Sequence, residues 1–217
     1  MAPSLPYDTL SVLCLTSKRH DGVVDESFRG WSACLVHDLR PARRKAQLGV
    51  YDLYAAVARG PLVHGAILFW KYVRLPDSNT PFVFVLDEPL PDYYARSLHP
   101  LLDDVALLSN GATAARRTIE RLLQHCADRA LAAHMAIRDT VRRDLEQRLT
   151  MRAGPLRGSH AFFARAQEHV LRNQALGYFT EAGGSKAWFD RLWPELFEDA
   201  LRWCSARSSV AAAIPHG

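Results

Sequence analysis

Lysine is scarce in this chain: of 27 basic residues, 23 are Arg and only Lys18, Lys45, Lys71 and Lys186 are Lys. Two causes compete for such a bias. Arg serves bidentate phosphate contacts better than Lys does, but a GC-rich coding sequence also supplies Arg together with Ala. The 30 Ala residues favour the second cause. Cysteine is sparse too. Cys14, Cys34, Cys126 and Cys204 are scattered with no C-x-x-C spacing, which excludes a disulfide framework and a zinc ribbon and leaves reduced, buried thiols as the expectation. Long apolar runs are absent. The run Ala66 to Trp70 ends at Lys71, far short of the roughly 18 residues a membrane helix needs. The first residues hold neither a basic segment nor an apolar one, and Asp8 disfavours an Arg-rich transit peptide. An intracellular protein is expected, in the cytoplasm or in an organelle interior such as the mitochondrion.

What is present is an ordinary globular composition, 48% hydrophobic over 217 residues, enough to build a core without staples. Asp8 to Leu15 and Trp31 to Leu39 are short apolar stretches around the polar segment Ser17 to Gly30, and they predict a first pair of buried strands. Pro41 suits the first turn of a helix, and Leu48, Tyr51, Leu53, Tyr54 and Val57 continue on helical spacing to the stop at Gly60-Pro61. Leu62 to Leu75 and Phe82 to Leu86 flank a cluster of turn formers, Pro76 to Pro81, and predict a hairpin. From Asp92 onward the pattern is helical: Asp92 to Leu108, Thr113 to about Arg152, Ser159 to Thr180, and Ser185 to about Ala206, the last divided at Pro194. The predicted fold class is therefore α+β, with a small, mostly antiparallel sheet of about four strands plus one helix in residues 1–90. A helical module with one long helix follows in residues 91–217. The order strand, strand, helix, strand, strand resembles that of profilin-like or longin-like modules, a likeness that implies no function.

The long helix carries the clearest pattern. Ile119, Leu123, Cys126, Ala130, Ala133 and Ile137 step by four and three, the seam of a helical hairpin or coiled coil, before Val141, Leu145 and Leu149 rotate the stripe. Such a helix is about 60 Å long, so it either breaks or extends beyond a small domain. Residues 112–157 hold ten Arg against five acids, which accounts for the whole charge excess of a chain whose net charge is +4. That concentration is the pattern of a nucleic-acid footprint, with Arg43, Arg44, Arg116, Arg117, Arg121, Arg138, Arg142 and Arg143 as its candidate contacts. The competing reading is a solvated face with internal pairs such as Asp139 to Arg143 and Asp144 to Arg148, and it is the stronger one because the Arg side chains point all round the cylinder.

Phe82-Val-Phe-Val-Leu-Asp87-Glu88-Pro89 is similar to the Walker B strand of ATP-binding cassette proteins, a likeness that implies magnesium on Asp87 and the attacking water on Glu88. Phosphate binding also requires a G-x-x-x-x-G-K-[ST] loop, and the chain contains no Gly-Lys pair. His125 and His134 lie nine apart and cannot share a helix face as metal ligands. Cys34 and His37 fall on opposite faces of a strand, and Ser159-His160 lacks the nucleophile elbow. No catalytic residue, metal or cofactor is expected. Trp188, Trp193, Phe197 and Trp203 form an aromatic set that is either core or a docking face for another protein. The function that follows is that of a non-catalytic structural or accessory subunit of a multiprotein assembly. The alternatives are an RNA- or DNA-binding component of a ribonucleoprotein and an enzyme whose site has no local motif.

Overall fold

The computed structural model describes residues 10–58, 62–74, 79–86, 104–107, 111–152 and 160–213. They form two compact units, residues 1–128 and 129–217.

In the first unit, short apolar segments alternate with helices. These are β1 (Ser11–Leu15), α1 (Asp21–Ser27), β2 (Ser32–Val36), α2 (Leu39–Leu48), β3 (Leu53–Ala58), α3 (Leu62–Arg74), β4 (Phe82–Leu86) and β5 (Asp104–Leu107). Every strand pairing is parallel, in the order β2-β1-β3-β4-β5. This is a doubly wound α/β sheet, in which each crossover helix returns the chain to the same end of the sheet. Its inner strands β1, β3 and β4 are buried on both faces, so β4 has no exposed position at all and β3 reads Leu-Tyr-Ala-Ala-Val-Ala. On one face Leu13, Leu15, Tyr54, Ala56, Phe82, Phe84 and Leu86 meet Ala42 of α2 and Val63, Ala66, Phe69, Trp70 and Val73 of α3. The ring contacts Tyr54–Phe69, Phe69–Phe82 and Phe82–Phe84, at 6.1, 5.8 and 5.1 Å between centroids, tie three elements together.

The antiparallel α+β expectation is therefore overturned. Ser17 to Gly30 holds a helix, and β1 and β2 pair in parallel across it. Leu53–Ala58, read as the end of a helix, is a strand between β1 and β4. Leu62–Arg74, read as half of a hairpin, is a helix, whose buried Val63, Ala66, Phe69, Trp70 and Val73 recur at three- and four-residue steps. Asp104–Leu107, placed in a helix, is the fifth strand. The predicted boundary at Pro89 to Asp92 and most of the helix predicted from Asp92 lie outside the described residues.

The helices after the sheet follow the sequence closely. α4 (Ala112–Arg152), α5 (His160–Glu181) and α6 (Lys186–Ala213) are each continuous. Ile119, Leu123, Cys126, Ala130, Ala133, Ile137, Val141 and Leu145 of α4 are all buried. Pro194 does not divide α6 but lies within it, as an exposed residue. In the second unit, contacts climb α4 and α6 together, Arg138 to Asp199 and then Glu146 to Arg207, so these helices run parallel. α5 returns between them in sequence, its Arg165, Glu168 and Arg172 meeting Glu198, Trp193 and Asp190.

The α5–α6 turn is a Schellman cap: the Gly183 N–H donates to Thr180 O at 3.0 Å and the Gly184 N–H to Phe179 O at 2.9 Å, with Gly183 at φ 92°. Gly184 also rests on the Phe179 ring, and an added Cβ would overlap that ring's Cδ1, Cε1 and Cζ. Phe179 is fully buried and packs 5.4 Å from Phe189, so it cannot swing aside. Gly184→Ala should therefore lower the stability of this unit by about 2 kcal/mol, the usual cost of overpacking, seen as an earlier urea midpoint at unchanged slope.

Candidate functional site

In an open parallel sheet, ligands bind outside the carboxyl ends of the strands where the strand order reverses, here between β1 and β3. The chain leaves β1 as Thr16-Ser17-Lys18-Arg19-His20. Thr16 is 1% exposed and its N–H extends the ladder to Val36 O at 2.8 Å, while Lys18 and Arg19 are exposed. Ser17 Oγ lies 2.7 Å from Nδ1 of the buried His20, and His37, just past β2, holds its Nε2 3.0 Å from Asp21 Oδ2. β3 ends in Val57-Ala58. The switch point thus carries hydroxyls, bases and apolar groups at the two strand ends, and no carboxylate on either. Among the described residues no group of three His, Cys, Asp or Glu could hold a metal. Asp87 and Glu88, the Walker-B-like acids, lie outside the described residues.

The sheet's buried carboxylate sits at the opposite end. Asp52, fully buried before β3, accepts the Ser11 N–H at 2.7 Å and the Ser11 hydroxyl at 3.0 Å, tying β1 to β3. It is a structural clasp. Cys14, Cys126 and Cys204 are buried free thiols and Cys34 is half-buried. Burial, reinforced by the charge of Asp21, pushes the Cys14 thiol far above its ordinary range, and burial together with Glu146 pushes that of Cys204 up to about 11. Neither is a thiolate nucleophile at neutral pH.

The candidate nucleic-acid contacts are scattered, and several are engaged within the chain. Arg43 stacks over Tyr72 at 5.1 Å. Arg116 stacks over Trp31 at 4.9 Å, pairs with Glu120 at 2.8 Å and donates to Arg29 O. Arg138 and Arg142 both grip Asp199. Arg143 turns back onto Asp139 O and Thr140 of its own helix, and the carboxylate of Asp139 pairs with Arg142 at 3.0 Å. Arg44, Arg117 and Arg121 are exposed. Arg148 reaches Gln167 and Gln174 on α5. Of the candidate docking aromatics, Trp188, Trp193 and Phe197 are 1, 4 and 2% exposed, and Phe189, Trp193 and Phe197 form a ladder at 5.5 Å spacings while Trp188 lies under Arg191 at 5.0 Å. Trp193 donates to Glu168 at 3.2 Å, and Trp203, half-buried, lies under Arg207 at 4.9 Å.

Two features were not foreseen from sequence. Asp199 of α6 receives four hydrogen bonds of 2.8 to 3.2 Å from Arg138 and Arg142. Arg138 and Arg142 are one helical turn apart, a spacing visible in sequence, but no local signal names a carboxylate 57 residues away as their shared partner. The second is the set of surroundings of His134, which is 9% exposed with neither ring nitrogen hydrogen-bonded among the described residues.

No family model matches this sequence, and no curated protein matches it. Solved structures similar to it include the receiver domain of a sensor histidine kinase from Pseudomonas aeruginosa PAO1, described with magnesium in its active-site cleft. It is 17% identical, with a TM-score of 0.46 over 54% of this chain and 98% of that one. The chemotaxis protein CheY4 of Vibrio cholerae is 21% identical, with a TM-score of 0.45 over 52% of this chain and 98% of that one. An orphan response regulator of H. pylori is 17% identical, with a TM-score of 0.41 over 52% of this chain and 96% of that one.

Proposed function

We propose that this chain acts by binding another protein, as a regulatory or accessory component of a larger assembly, and that its α/β unit performs no chemistry at the sheet's switch point. The observation that carries this reading is the composition of that point: Thr16-Ser17 after β1 and Val57-Ala58 at the end of β3, with no carboxylate among these residues to take a metal or a proton. The Cys14 and Cys204 thiols support it, since burial keeps them protonated at neutral pH. No helix among the described residues is long and apolar enough to cross a membrane. Several of the Arg residues that made nucleic acid a candidate partner meet the chain's own acceptors and rings, and this favours protein over RNA.

The test is affinity purification of the full chain from its native source at two salt concentrations, with mass spectrometry and nuclease controls. Co-purification with defined protein partners, resistant to nuclease, is expected. Recovery as a free 24.3 kDa monomer overturns the assembly reading. Complexes lost on nuclease treatment, with affinity falling steeply as salt rises, replace it with the ribonucleoprotein one. Magnesium titrated into the purified protein should release no binding heat, and a saturable signal would restore a metal-assisted site.

A further inference from the structure

His134 is a buried, ionisable side chain that makes no hydrogen bond among the described residues, which is an expensive arrangement unless its neutral form is the one the fold is built around. Its surroundings on two helices are known. Arg138 follows one turn later on α4, and Glu195 and Asp199 act on it from α6. Burial is the largest influence on its charge and disfavours the imidazolium, with Arg138 acting in the same direction and the two carboxylates against it.

Those carboxylates are poorly placed to rescue a proton. Both oxygens of Asp199 are occupied by Arg138 and Arg142 in four hydrogen bonds. Glu195 is exposed, so solvent screens it. An imidazolium at His134 would thus lie desolvated one turn from a guanidinium, opposed mainly by burial and offset only by the solvent-screened Glu195 and the already engaged Asp199.

We propose that His134 is a proton-sensitive latch on the α4–α6 contact: the neutral ring lets α6 seat against α4, and protonation drives the two helices apart. Glu195 lies between Trp193 and Phe197 on α6, so loosening this stretch uncovers aromatic side chains that are buried at neutral pH. The latch concerns the helical unit alone and stands whether or not the α/β unit takes part in an assembly.

The sign follows from linkage. A histidine held neutral by the fold takes up its proton in the unfolded chain first. Stability is therefore complete above the ordinary histidine range of about 6.5, falls as pH drops through it, and levels off below the depressed folded value. Hydrogen exchange of the full wild-type chain, corrected for intrinsic rates, reads this directly. The α4 and α6 amides near Ala133 to Ile137 and Trp193 to Phe197 should open several-fold more at pH 5 than at pH 7, because the open state binds the proton more tightly than the closed one. In His134→Leu that ratio should fall to near one, while His169→Gln, on an exposed site, should keep it. An unchanged ratio in His134→Leu overturns the latch. Should that variant not fold, the ring-proton titration of His134 in the wild type decides instead: a midpoint below the ordinary range sustains the proposal, and one at or above it overturns it.

Discussion

Phe84→Ala should destabilise the α/β unit by about 4 kcal/mol, within the range found when a buried Phe is cut to Ala. Phe84 is fully buried on β4, which lies between β3 and β5, and its ring is 5.1 Å from that of Phe82 in the cluster that joins the sheet to α3. Removing it leaves a void with walls that belong to paired strands. Those strands cannot close inward without breaking their register with Tyr54–Ala58. Phe84→Leu keeps most of the volume and should cost about 1 kcal/mol. Because the chain has two units, a single melting curve is ambiguous; hydrogen exchange of the β3 and β4 amides reads the α/β unit directly. Equal protection in Phe84→Ala and wild type would show that this face of the sheet is not a cooperative core.

Asp199→Ala should cost the helical unit about 3 kcal/mol. The carboxylate is 19% exposed and accepts four charge-assisted bonds, so its loss leaves two neighbouring guanidiniums of α4 side by side at the contact with α6, without their shared partner. Among the described residues Arg142, 18% exposed, then keeps only Asp139, which is 79% exposed and too well solvated to replace the lost partner. Asp139→Ala should accordingly be near-neutral, and that contrast separates the clamp from a general surface-charge effect.

The clamp also fixes an acid limit. Hydrogen bonding from Arg138, followed by that from Arg142, outweighs partial burial and holds the Asp199 carboxyl well below the usual carboxylate range. A carboxylate depressed in the folded state stabilises at pH above its unfolded value and loses that contribution as pH falls through its folded one. Wild type should therefore lose stability below about pH 4 more steeply than Asp199→Asn, which has nothing there to titrate. This window lies below that of His134, so urea midpoints across pH 7 to 2 should show two separate declines. A single decline unaffected by Asp199→Asn would remove the clamp from the acid response.

Local periodicity was sufficient for the helices after the sheet. The four-and-three stepping of Ile119 to Ile137 and the absence of any competing pattern placed α4, α5 and α6 within a few residues of their observed ends, apart from the C-terminal end of α6. It was insufficient for the sheet. A parallel strand covered on both faces loses the alternation that identifies a strand, so the Ala-rich β3 passed for a helix. The aromatic and β-branched α3 passed for a strand because Leu62–Arg74 is short and apolar enough to fit either period. The switch point could not be located before the strand order was known, because its significance comes from the reversal between β1 and β3 and not from any motif in Thr16 to His20.

By itself, then, the chain of residues determined where its helices run after the sheet, which positions they bury, and that its cysteines carry no framework, since each of these depends on spacing along a few turns. Only the tertiary structure decided that the strands are parallel, that Arg138 and Arg142 spend their charge on Asp199, and that His134 is enclosed. Those outcomes depend on groups far apart in sequence, and the low-dielectric contact that gives them their energy exists only after the chain has folded.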